Sequence, residues 1–310
     1  MLGACSNDEL PDNDPNAPVE LRLTSGLEVL TRTTHGLDTQ LKNGEEVHVW
    51  VDDAITDKEL YADNTLTAGD NGTLTDGDLM YFPETGNGVD IYAIHGNWGN
   101  TALTDFWGTE QTHSVEQDQR TGQTTDGYAQ SDLVYAKSTN VSRNGNPTTV
   151  NLTFAHLLSK VEVVLVRGAG YPNISKVEIL NTKLDAKFTP NRESEITATA
   201  DGTIDGTTLN AIEIDKDLTS KGNATGTDES KKKLNEAIIV PQTLASGTAF
   251  IRITVGDGAL IYRLKEETTF APATRYRYTI TANLTGLEVT ATITPWTQET
   301  GDDNGTAEME

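Results

Sequence analysis

Apolar and polar residues alternate with a period of two along most of this chain. Val47-His48-Val49-Trp50-Val51, Val89-Asp90-Ile91-Tyr92-Ala93-Ile94 and Val161-Glu162-Val163-Val164-Leu165-Val166 read as strands. So do Lys176-Val177-Glu178-Ile179-Leu180, Phe250-Ile251-Arg252-Ile253-Thr254-Val255 and Leu260-Ile261-Tyr262-Arg263-Leu264. These runs are rich in β-branched and aromatic residues, which pack well on a pleated surface, and Gly, Asn, Asp and Pro bound them. In Arg275 to Leu284, Tyr276, Tyr278, Ile280, Ala282 and Leu284 share one face, and Arg275, Arg277, Thr279 and Thr281 share the other. Asn43-Gly44, Asn71-Gly72, Asp76-Gly77, Asn144-Gly145, Asp201-Gly202 and Asp205-Gly206 are pairs that accept positive φ and so mark turns. Helical signal is thin, with one or two turns expected at Phe154–Lys160 and at Glu229–Leu234. The pattern predicts an all-β protein of antiparallel sandwiches with long polar loops.

The first and last strands carry the most suggestive pattern. Val19, Leu21, Leu23, Ser25, Leu27, Val29 and Thr31 fall on one face of an extended segment, and Glu20, Arg22, Thr24, Gly26 and Glu28 on the other. Thr31-Arg32-Thr33-Thr34-His35-Gly36 follows as a polar stretch. Arg32 is therefore a candidate target for a trypsin-like protease, which needs an accessible backbone. Near the other end, Gly286-Leu287-Glu288-Val289 repeats Gly26-Leu27-Glu28-Val29 letter for letter. Leu287, Val289, Ala291 and Ile293 then line one face, ending at Pro295-Trp296. A strand removed from a sheet leaves open hydrogen-bonding edges and an apolar groove, which a strand of matching pattern can fill. Period-two segments also resemble one another by chance.

Length and charge narrow the classes. The 310 residues suffice for two domains. The Ser/Thr/Asn/Gly-rich stretch Ser138–Thr149, with Pro147, predicts the boundary. The expected organisation is a tether over 1–18, a first sandwich over 19–147, a second over 148–296 and an acidic tail over 297–310. Mean hydropathy is −0.45. The formal net charge of −24 repels phosphate backbones, which excludes nucleic acid as a natural partner, and disfavours anionic membrane surfaces. No stretch of 18 apolar residues is present to span a bilayer.

Cys5 is the sole cysteine, so an internal disulfide and a multi-thiolate metal site are both excluded. It closes Leu2-Gly3-Ala4-Cys5, which resembles a bacterial lipobox, and an acidic, Pro-containing stretch follows it. Lipidation of Cys5 is the expectation.

Catalytic chemistry is not legible. His35, His48, His95, His113 and His156 form no zincin pair, and nucleophile elbow, phosphate loop and dinucleotide fingerprint are lacking. His95 reads as a turn or rim residue and His156, beside Phe154, Leu157 and Leu158, as a packing histidine. The Asp/Asn loops at 63–78 do not match an EF-hand spacing, and turn formation accounts for them, so neither a metal nor a cofactor is expected.

The chain resembles the fimbrillin family of Bacteroidales, subunits of protease-assembled pili. The resemblance is carried by the lipobox-like Leu2–Cys5, the strand ending at Leu30-Thr31-Arg32, Met80-Tyr81-Phe82-Pro83 and Val89-Asp90-Ile91-Tyr92-Ala93. It continues through Leu152-Thr153-Phe154-Ala155-His156-Leu157-Leu158-Ser159-Lys160-Val161-Glu162-Val163 and Ile239-Val240-Pro241-Gln242-Thr243-Leu244. It ends with Tyr276-Arg277-Tyr278-Thr279-Ile280 and Ile293-Thr294-Pro295-Trp296.

The resemblance implies two transthyretin-like antiparallel β-sandwich domains in tandem. It also implies export to the cell surface as an outer-membrane lipoprotein, then incorporation into a fimbrium. It implies cleavage after Arg32, making Thr33 the new N-terminus. The first strand with Val19, Leu21, Leu23, Leu27 and Val29 would be removed, and a C-terminal strand of another subunit would refill the groove. The candidate donor here carries Leu287, Val289, Ala291, Ile293 and Trp296. The polar, acidic residues after Trp296 depart from the strand-forming residues of stalk subunits, which brings a tip or accessory position into view. Other pilus subunits are the implied partners, with host glycans or proteins as ligands for a tip. The competing reading is a surface glycan-binding lipoprotein of a polysaccharide-uptake system, with Trp98, Trp107 and Tyr128 as an aromatic platform.

Overall fold

The computed structural model describes residues 17–27, 41–98, 103, 105–170, 173–204, 210–219, 235–283, 286–295 and 305–307. In the first half lie β1 (Glu20–Leu27), β2 (Glu46–Asp53), β3 (Glu59–Ala68), β4 (Thr73–Thr75), β5 (Met80–Tyr81), β6 (Val89–His95) and β7 (Gln111–Ser114). A short helix α1 (Gly127–Ser131), β8 (Val134–Val141) and β9 (Thr148–His156) follow. All of these strands except β7 form one eight-stranded sheet in the order β4-β3-β2-β6-β8-β9-β1-β5. A further pairing of β4 with β1 joins its ends, so the sheet closes on itself. The expected strands at 47–51 and 89–94 lie in β2 and β6, whose residues from Val47 and Val89 onward are almost all buried.

The second half holds β10 (Ser159–Arg167), β11 (Ile174–Ile179), β12 (Asp185–Phe188), β13 (Thr199–Asp201), β14 (Ile212–Ile214) and β15 (Leu218–Thr219). It continues with β16 (Asn235–Ile239), β17 (Gln242–Leu244), β18 (Ala249–Val255), β19 (Gly258–Arg263) and β20 (Thr268–Phe270). The last three are β21 (Thr274–Asn283), β22 (Gly286–Pro295) and β23 (Gly305–Ala307). One sheet runs β15-β10-β21-β22-β23 with β16 also on β10, and another runs β14-β11-β18-β19. Val161, Val163 and Leu165 of β10 join Val177 and Ile179 of β11 and Phe250 and Ile253 of β18 in the core.

Several expectations are corrected. The helical turn expected at Phe154–Lys160 is instead the end of β9, a two-residue corner and the start of β10. Its β-branched and aromatic flanks find sheet partners on both sides, which outweighs local propensity. The one described α-helix was not legible in its sequence. Its start is set by Asp126, whose side chain accepts the Ala129 N–H. The sheets are not wholly antiparallel: β1 runs parallel to β9, and β10 parallel to β21 and β15.

The boundary expected at 147/148 falls inside the first sheet's hydrogen bonding, because β9 pairs with β1 and β8. The passage between sheets comes at Leu157-Leu158. The halves are also laced together. Strand β7 pairs with β12, and the Gln119 amide both accepts the Ile238 N–H at 2.7 Å and donates to the Ile238 carbonyl at 3.0 Å. One apolar core runs through both halves.

Candidate functional site

The site is the seat of β1. Along this strand Leu21, Leu23 and Ser25 are buried, while Arg22 is exposed. Val19, just before the strand, is half-buried and packs on the core. On one side β1 runs beside β9, from Leu21 opposite Thr148 to Leu27 opposite Phe154. On the other, Glu20 and Leu21 pair with Tyr81 and Met80, and Leu23 and Thr24 with Leu74 and Thr73. Beside these two short pairings lies an open cleft of about 470 Å³, lined by Leu21, Leu23, Leu66, Leu74 and Met80 and also by Arg22, Asp76 and Asp78. Leu79 there is 66% exposed.

Strand β1 is an interior strand, paired with β9 on one side and with β4 and β5 on the other. Nothing local ties β1 to β9, which follows more than a hundred residues later. What holds it is burial of Leu21 and Leu23, at about 1.5–3 kcal/mol each, and a ladder of hydrogen bonds at about 0.5–1.5 kcal/mol net apiece.

Of the predicted donor residues, Leu287, Val289, Ala291 and Ile293 lie in β22. It is paired with β21 along its whole length, from Gly286 opposite Asn283 to Pro295 opposite Thr274, and on its far side with the three residues of β23. Leu287 and Val289 are buried, Ala291 is half-buried and Ile293 is 62% exposed. The repeated tetrapeptide does not align the two strands, because Gly26-Leu27 ends β1 whereas Gly286-Leu287 begins β22. Cys5, Val29, Arg32, Thr33, His35 and Trp296 lie outside the described residues, as does the helix expected at Glu229–Leu234.

The aromatic platform of the glycan-binding reading is not assembled. Tyr128 is 1% exposed. Trp107 is half-buried in an internal cluster where Trp50 stacks on Phe106 at 4.2 Å and Arg192 lies 4.5 Å over the Trp107 ring. Trp98 packs its ring across Gly96, where a Cβ would stand 2.6 Å from it, and edge-on to His48 at 5.6 Å.

Two buried polar features were missed by sequence reasoning. On the outer face of β10 and β21, Glu162 stands between Arg277 on one neighbour and Glu236 on the other. Arg277 Nε meets Glu162 at 2.6 Å, and Lys160 Nζ meets Glu236 at 2.6 Å and Glu162 at 3.7 Å. Burial pushes the Glu162 carboxyl up, but Lys160, Arg277 and Arg275 together outweigh it and hold it below its ordinary value. The legible signal was Lys160-x-Glu162 and Arg275-x-Arg277, charges of period two in otherwise apolar strands.

The second feature is His113, which is fully buried. Its Nδ1 accepts the Asn97 N–H at 3.0 Å and its Nε2–H donates to the Ser131 carbonyl at 2.9 Å. Burial pushes it down to about 4 from 6.5. The unfolded chain therefore binds a proton that the fold rejects between pH 6.5 and about 4, so stability falls as pH drops through that window, by about 3 kcal/mol in all. Urea melts of wild type and His113→Gln at pH 7 and pH 4.5 check this. The variant's loss on acidification is expected to be smaller, and equal losses would remove His113 from the account.

The fold is thus that of an all-β protein whose first sheet is closed by one eight-residue N-terminal strand. A family model described as fimbrillin-like matches residues 31–296, and the chain belongs to the fimbrillin-like family. No curated protein matches it. Among solved structures, a candidate cell adhesion protein from Bacteroides ovatus superposes with a TM-score of 0.63 at 15% identity, covering 92% of this chain and 100% of that one. Another, from Bacteroides uniformis, gives 0.59 at 21% identity over 90% and 99%. The tip fimbrial protein Mfa3 of Porphyromonas gingivalis, with a C-terminal truncation, gives 0.51 at 13% over 90% and 100%. At these identities the superpositions speak for the shared fold.

Proposed function

We propose that this chain is a structural, non-catalytic subunit of a cell-surface fimbria, built as two tandem transthyretin-like units. It reaches the outer membrane as a lipoprotein anchored through Cys5. Cleavage after Arg32 then frees β1, and an extended segment of another subunit takes its place. The observation that supports this is the position of β1. It is the parallel stave that closes the first sheet between β9 and β4, and its loss opens two hydrogen-bonding edges and an apolar groove at once.

The pairing of β22 with β21 over ten residues speaks for an accepting role ahead of a donating one. A chain that accepts a strand without giving one suits a tip or accessory position. Producing cells carrying wild type or Arg32→Ala test the reading. Mass spectrometry of wild-type protein should find Thr33 at the mature N-terminus in sheared fimbriae. The variant should stay with the membrane, with a diacylglycerol on Cys5. Arg32→Ala protein recovered in fimbriae at the wild-type level would end this reading.

A further inference from the structure

A second cleft, of about 430 Å³, shares no lining residue with the one beside β1. It lies where β2 begins and β6 ends, with α1 alongside, and Glu45, Glu46, His48, His95, Trp98 and Gln130 border it. Its walls are tied together. His95 Nδ1 is 2.8 Å from the Glu46 carbonyl and its Nε2 is 3.3 Å from the Ala129 carbonyl, which joins β6 to β2 and to α1. His48 is held by Asp63. The Trp98 ring is fixed as well, pressed on Gly96 and set near edge-on to His48, to His113 at 6.2 Å and to Phe188 at 6.3 Å. Trp98 is only half-buried and keeps part of its surface for the cleft.

The charge at this cleft is one-sided. Lys42 nearby is taken by Asp126, and His48 by Asp63. Among the described residues the basic atom nearest the Glu45 carboxylate is His95 Nε2 at 4.0 Å, and both nitrogens of that ring already face carbonyl oxygens. Burial pushes the Glu45 carboxyl up, His95 and Lys42 offset this only in part, and the Asp126 and Glu46 carboxylates add to the rise. Among the described residues that border the cleft, none is a lysine or an arginine. A half-buried carboxylate so placed gains from a cation brought next to it. An aromatic ring beside it serves the same ligand, since its face attracts a cation and covers an apolar stem. We propose that this cleft binds an alkylammonium group, the chemistry of a lysine side chain or a free amine, with the ammonium at Glu45 and the methylene stem on Trp98. Such binding is independent of β1 exchange, because the two clefts have no residue in common.

The indole N–H resonances of full-length protein, one for each of its four tryptophans, test this, with Trp98 identified by Trp98→Phe. At about pH 8, Nα-acetyl-lysine amide is expected to move the Trp98 resonance saturably, with a Kd of about 5 mM or below. Nα-acetyl-norleucine amide, which has the stem without the ammonium, should bind about 10-fold or more weakly. So should the lysine amide on Glu45→Gln protein whose other resonances are unmoved. Cadaverine distinguishes the source. Binding tighter than that of the lysine amide marks a free diamine, and weaker binding marks a side chain on a polypeptide, and both uphold the proposal. A Trp98 resonance unmoved by about 50 mM of either amine overturns it. Equal binding of the norleucine compound overturns it by making the contact apolar, and equal binding by Glu45→Gln overturns it by removing the carboxylate. A saturable shift with methyl glucoside and none with the amines would make the cleft a sugar site instead.

Discussion

A Leu21→Asp/Leu23→Asp protein is expected to lose its first strand from the sheet without any cut in the chain. Each substitution removes a buried apolar side chain of the core, and large-to-small changes of this kind cost about 2–5 kcal/mol apiece. Each also asks a carboxylate to enter an apolar site, which adds several kcal/mol unless the strand withdraws. Withdrawal is the cheaper outcome, because β1 is joined to its neighbours through long connections, although β5 and residues 148–154 of β9 lose their ladder partner with it. The closed sheet then opens between β9 and β4, exposing Leu66, Leu74, Met80 and Leu152. The amides of Leu21–Leu27 and of their partners on β9 should lose hydrogen-exchange protection, while those of β10, β18 and β21 keep theirs. An apolar dye should bind the variant and not the wild type. Wild-type protection in β1, or a midpoint of denaturation equal to the wild type, would show that β1 is not the closing element.

Glu162→Ala is expected to destabilise the second half by about 3–5 kcal/mol, a large loss for one side chain. Glu162 is the carboxylate shared by Arg277, Lys160 and Arg275, and it is almost wholly buried. Its removal takes one carboxylate out of a buried charge cluster, the one that meets Arg277 at 2.6 Å, while Lys160 keeps Glu236. The size of the effect measures the imbalance left behind rather than the net worth of the ion pairs. Glu162→Gln, which keeps the shape and loses the charge, should recover only part of it. The pH dependence has a definite sign. The folded carboxyl titrates below its ordinary value of 4.5, so its stabilisation is present above that value and is lost as pH falls through the lower, folded one. Wild type should therefore lose stability in that acidic range more steeply than Glu162→Gln. Parallel acid profiles, or a cost under about 1 kcal/mol, would remove the cluster from the account.

The alternation of Val47–Val51, Val89–Ile94 and Tyr276–Ala282 was legible because each strand has one side facing an apolar layer. Turn positions were equally plain, since Asn71, Asp76, Gly44 and Gly145 adopt the positive φ that their residue types accept at little cost. The charged residues of β10 were not legible in the same way. Lys160 and Glu162 lie in a strand pattern that gives no sign of their partners, yet both are buried, because Glu236 and Arg277 on the adjacent strands neutralise them across the ladder. Tyr128 looked available for ligand stacking, and its burial takes it out of that role.

What the sequence determined by itself is the class of the fold: an acidic, all-β chain of short strands and polar turns, whose ordered motifs mark a fimbrillin-like protein. Those properties are local, since a period of two and a turn dipeptide act over a few residues. Only the tertiary structure decided that β1 runs parallel to β9, that β4 meets β1 to close the sheet, and that β22 is held by β21. The strands that β1 meets follow tens to more than a hundred residues later. Which edges meet is chosen by how whole apolar faces stack, a quantity no single segment carries.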